Sequence, residues 1–105
     1  MSVFSKRLKE ARRAAGLSQE KLGVLAGIDE MSSSARMNQY ERGKHEPDYS
    51  MVERIAEALD VPECYFYCKD DDAASILLQL HRVPMSEKAD VTNRILSVLR
   101  TSLGP

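Results

Sequence analysis

The stretch from Ser18 to Glu46, SQEKLGVLAGIDEMSSSARMNQYERGKHE, constrains this chain more than any other. It reads as a short helix, a glycine-marked turn and a second short helix ending in Arg42-Gly43-Lys44. Ser18 supplies the oxygen that caps the first of the pair. Leu22, Leu25 and Ala26 fall on one face at helical spacing, and Gly27 suits the left-handed position that ends a helix, with Ile28 folding back onto the core. The run Ser32-Ser33-Ser34 offers a cap for the next helix, in which Met37 and Tyr40 point inward.

On a 3.6-residue wheel the opposite face of that second helix carries Ala35, Asn38, Gln39 and Arg42, flanked by Ser34 and Arg36. Two amides, a methyl and a guanidinium without a carboxylate before Glu41 form an uncommon solvent face. Amides donate and accept toward adenine, arginine matches guanine or phosphate, and a methyl meets thymine. Charge runs the same way. Residues 1–46 hold nine Lys or Arg against six acids, and residues 47–105 hold six against ten, so a basic front precedes an acidic back.

At 105 residues the chain suffices for one domain with a modest core and a small appendage. No apolar run is long enough to span a bilayer, and MSVFSKRLKE lacks the apolar region of a signal peptide, so a cytoplasmic protein is expected, away from membranes. Cys64 and Cys68 are then reduced; with no second cysteine pair, and with His45 and His81 fitting no zinc pattern, neither a metal site nor a cofactor is expected. The sequence also lacks a nucleophile elbow and a glycine-rich phosphate loop, which argues against an enzyme.

Around the central stretch the pattern stays helical. Residues 2–15 place Phe4, Leu8, Ala11 and Ala15 in one apolar stripe, stopped by Gly16. Arg12 sits at the edge of that stripe, an expensive place for a cation without a partner. After the loop His45-Glu46-Pro47, a helix over about 48–59 turns Val52, Ile55, Ala56 and Leu59 inward. PECYFY makes a short fifth helix whose Tyr65 and Phe66 close the core.

Five short helices without a strand match a compact all-α domain. The segments RLKEARRAAGLSQEKLGVLAGI, MNQYERGKHEPD and IAEALDVPECYFY resemble the λ-repressor/Cro-type (XRE) helix-turn-helix family, over residues 5–67. The resemblance implies a five-helix DNA-binding domain, residues 1–68, that reads double-stranded DNA. It further implies that Gln19 contacts the DNA backbone, that Ser34, Ala35, Asn38 and Gln39 face base edges, and that Arg42 and Lys44 grip phosphate, with Arg36 beside them. Arg12 corresponds to an arginine that pairs with the glutamate equivalent to Glu41, which would account for its position. One departure stands out: five residues, Ile28 to Ser32, separate Gly27 from the serines expected to cap, a turn about four residues longer than the family pattern.

The acidic run Lys69 to Asp72 reads as linker and helix cap, since calcium-loop spacing is absent. Residues 69–105 then form a C-terminal extension, expected as a helical hairpin with Ile76, Leu77 and Leu80 on one helix and Val91, Ile95 and Leu99 on the other. That is too much apolar surface for a free tail; it either pads the first domain or pairs with a second chain, and a two-fold homodimer suits a DNA reader. The leading expectation is a sequence-specific regulator, a repressor, bound as a homodimer to an inverted repeat through the helix near residues 33–42. The alternative is an antitoxin or phage accessory module whose C-terminal helices bind a protein partner.

Overall fold

Five side chains start five of the helices in the same way. Ser2, Ser18, Asp29, Asp48 and Asp70 each accept a hydrogen bond from a backbone N–H two or three residues ahead, satisfying a donor that the helix itself cannot. The computed structural model describes residues 2–104. In order it holds α1 (Val3–Ala14), α2 (Gln19–Leu25), α3 (Glu30–Glu41), α4 (Tyr49–Leu59), a 3-10 segment (Glu63–Tyr67), α5 (Asp71–Arg82) and α6 (Met85–Leu103). The described residues are all-helical, as expected, without a strand.

The core lies where α1 to α4 and the 3-10 segment meet. Leu8, Leu22, Met37, Val52, Ile55 and Phe66 are fully buried there, each large apolar side chain contributing about 1.5–3 kcal/mol. Phe4 packs on Phe66 with ring centroids 5.2 Å apart, tying the start of α1 to the 3-10 segment. The expected fifth helix is this five-residue 3-10 piece, with Pro62 immediately before it and Tyr65 and Phe66 buried.

Several local expectations are corrected. Ala15 is exposed, because α1 ends at Ala14 and Gly16, at φ +70°, turns the chain away. Leu25 is 52% exposed: Leu22 and Ala26 fill the core side of the short α2, leaving Leu25 on the rim beside Arg54. The serines do not cap α3. Asp29 does, accepting from Met31 N–H at 3.1 Å, so Ser32, Ser33 and Ser34 lie inside the helix. The connection between α2 and α3 is therefore short, and the four additional residues form one more turn at the N-terminus of α3.

The C-terminal helices are present but do not close on one another. α5 lays Ala74 against the domain, whereas α6, 19 residues long, buries no side chain. Between the two runs an open apolar groove, and the molecule extends to 55 × 30 × 23 Å.

Candidate nucleic-acid interface

The angle of α3 is fixed at three places. After α2, Gly27 at φ +90° lets its own N–H reach Val24 O and the Ile28 N–H reach Gly23 O, at 3.0 and 2.9 Å, while Ile28 buries its side chain behind the turn. In the middle, Gly23 faces Ser33: a Cβ on Gly23 would stand 1.9 Å from Ser33 Oγ. Ser33 is buried and donates to Glu20 O at 2.6 Å, so the two helices are bonded through the space that the missing side chain leaves. At the far end Gly43, at φ +74°, repeats the first device, with Gly43 N–H on Tyr40 O and Lys44 N–H on Gln39 O.

Beneath α3 lies a polar network. Arg12 donates from Nε and Nη2 to the two oxygens of Glu41, and from Nη1 to Leu17 O at 2.8 Å. Glu41 is buried, so its charge is held by this fork rather than by water. Gln19 Nε2 donates to Asn38 Oδ1 and to Glu41 Oε1, both at 3.2 Å. That arrangement turns the Asn38 amide nitrogen outward as a donor. It also directs the Gln19 hydrogens inward; to meet a phosphate, as expected from the resemblance, Gln19 must release one of them.

Of the expected base-facing residues, Ser34, Ala35 and Gln39 are exposed and Asn38 is half-buried. Arg36, Arg42 and Lys44 are exposed, and none of them takes part in an ion pair among the described residues. The added turn brings in two residues that the sequence reading passed over. Met31 is 92% exposed and Glu30 is exposed beside it, one turn before Ser34 and Ala35 on the same side. The signal for them was Asp29, an N-cap residue followed by an acid in the first turn.

A second surface lies between α5 and α6. Of the expected pairing residues, Ile76, Leu80, Val91, Ile95 and Leu99 line the groove, whose volume is about 520 Å³, while Leu77 lies outside it, partly buried. Val98 at its mouth is 65% exposed. Cys64 and Cys68 are free thiols, and no cluster of three or more metal-ligating side chains exists among the described residues. No helix in them is long and apolar enough to cross a membrane.

Residues 3–64 match the sequence pattern of the helix-turn-helix domain. The chain belongs to the helix-turn-helix domain family. This helix-turn-helix chain is also similar to a solved crystal structure, that of the transcriptional regulator BswR, at 43% sequence identity and a TM-score of 0.80. The alignment covers 92% of this chain and 94% of that one, so the likeness extends through the C-terminal helices. No curated protein matches.

Proposed function

We propose that this helix-turn-helix chain is a sequence-specific transcriptional regulator of the λ-repressor/Cro (XRE) type, acting in the cytoplasm as a repressor. It binds an inverted repeat in duplex DNA as a homodimer, with residues 1–68 as the reading domain and 69–105 as the dimerising extension, and has no enzymatic role. The observation that carries this reading is the outward face of α3. Ser34, Ala35 and Gln39 are exposed there, Asn38 presents an amide donor, and exposed Arg36, Arg42 and Lys44 flank them. α3 is the helix that enters the major groove in such a motif. The three cations then neutralise phosphates and set register, while the polar and methyl groups discriminate bases.

The added turn extends the reading face. Glu30 can accept from a cytosine amine and Met31 offers apolar contact to a thymine methyl. The exposed groove of α5 and α6 also favours a second reading, in which a different protein fills it; a monomeric mass for the purified chain would support that one.

Selection of bound sequences from random duplex DNA tests the proposal. Wild-type protein should recover a defined half-site; Gln39→Ala should relax preference at one base position while remaining folded. Lys44→Ala should weaken all sequences alike and reduce the slope of log K against log salt by about one. Recovery of unenriched DNA by folded wild-type protein would overturn the reading.

A further inference from the structure

Two arginines fasten α5 to the DNA-reading domain, one at each end. At its start, Arg7 on α1 is only 4% exposed and donates to Cys68 O at 2.9 Å, to Lys69 O at 3.1 Å and to Asp71 Oδ1 at 2.9 Å; Glu10 takes its remaining Nη1 at 3.1 Å. At its end, Arg82 donates to Asp60 O at 3.0 Å and Leu59 O at 3.2 Å. Those are carbonyls at the C-terminus of α4, which Asp60 closes in the left-handed conformation at φ 54°. Between the two ends α5 rests on little apolar packing: Ala74 is its one buried residue, with Leu78 partly covered. Apolar contact near the middle of a helix is a pivot. Bonds at both ends are what stop rotation about it.

We infer that Arg7 and Arg82 are positioning residues for operator spacing: by clamping both ends of α5 they set how far apart, and at what angle, the two copies of α3 stand in the homodimer. The inference rests on the proposed dimeric regulator and concerns a different property from base reading. Adding one base pair between half-sites moves the second half-site by about 3.4 Å and rotates it by about 35°. A 12-residue helix is about 18 Å long, so a swing of about 20° about its middle displaces its end by about 3 Å, almost one base-pair step. A dimer can therefore reject a wrong spacing only if α5 is held more firmly than that. The next joint is restricted as well. Val83 is extended at φ −65°, ψ 133°, as a residue before proline prefers, and Pro84 fixes the φ at the entry to α6. The rigid path thus runs from the reading domain through the arginines and α5 to α6.

The test uses the full chain and a pool of random duplex DNA, and reads both the half-site letters and the distribution of spacer lengths. Wild-type protein should return an inverted repeat with one dominant spacing. Arg82→Ala, at an exposed side chain, and Arg7→Lys, which cannot reproduce the guanidinium fork, should keep the same half-site. Their discrimination against the next spacing should fall by about tenfold. Circular dichroism establishes that each variant is folded; should Arg7→Lys fail to fold, Arg82→Ala alone decides. An unchanged spacer distribution, within about twofold, in every folded variant would overturn the clamp and leave the dimeric regulator standing. Single half-sites recovered by wild-type protein would instead remove the dimeric reading and the clamp with it.

Discussion

α1 and α6 are both amphipathic, yet they solve opposite problems. α1 uses 12 residues to bury Phe4, Ser5, Arg7, Leu8 and Ala11 within its own chain. α6 has 19 residues and buries none, although Val91, Ile95, Val98 and Leu99 face one groove. The polar groups differ in the same sense. Around α1, buried Arg7 and half-buried Arg12 each have several partners, whereas the one ion pair on α6 among the described residues, Arg94 with Asp90, is open to water and worth at most about 1 kcal/mol. A helix whose apolar stripe is left uncovered draws little stability from its own fold. The contrast separates a part whose apolar faces are covered within one chain from a part whose apolar face lies open.

Breaking the covered part should have the largest effect. Glu41→Ala removes the carboxylate that Arg12 and Gln19 share, leaving the guanidinium charge without its counter-charge; a loss of about 3–5 kcal/mol is expected, measured as a fall in Tm by circular dichroism. An unchanged Tm would place the stability of the reading domain elsewhere. Next, Ile95→Asp puts a carboxylate in the apolar groove. If a second copy fills the groove, about 2–4 kcal/mol of association is lost, and sedimentation should show half the wild-type mass with the tyrosine near-ultraviolet spectrum unaltered. Equal masses before and after would dissociate α6 from dimerisation.

Gly23→Ala should come third, at about 1–3 kcal/mol, since its methyl overlaps Ser33 Oγ and crowds the Ser33 backbone. Ser33→Ala in the same chain should restore part of that loss, and strict additivity in the double-mutant cycle would contradict the contact. The smallest effect concerns the junction between the two parts. The Arg7 hydrogen bond, then Lys6, holds the Asp71 carboxyl below the ordinary carboxylate range. Because the folded form has the depressed value, its contribution is present above the unfolded value and is lost as pH falls through the folded one. Asp71→Asn should therefore flatten a shallow acid-side decline in stability, and an identical pH profile would show that the junction is indifferent to that charge.

Much of the covered part was legible in the sequence. Leu8, Leu22, Met37, Val52, Ile55 and Phe66 carry a helical period that only burial explains, and Gly27 and Gly43 mark their turns without help from distant residues. The start of α3 was not legible, because Asp29 and three serines are all competent caps and local chemistry cannot rank them. Ser33 settles the choice through Glu20 O, 13 residues away, across a gap that exists only once Gly23 has been brought opposite it. Nothing local sets Arg7 apart from the other cations of α1; its burial depends on carbonyls more than sixty residues distant. The direction of α6 was hidden for a similar reason. A wide apolar stripe says that something must cover it, and not that its neighbour in sequence will.

The lengthened α3 has a consequence for how this segment can vary. Four residues advance an α-helix by slightly more than one revolution, about 40° beyond a full circle, so an insertion of that size returns Met37, Tyr40 and the outward amides nearly to their former bearings. One or two residues would rotate everything upstream of them by about 100° or 200° and set Ser33 away from Gly23. Length changes at this point should thus come in quanta of a turn, each lengthening the probe toward the duplex without re-aiming it.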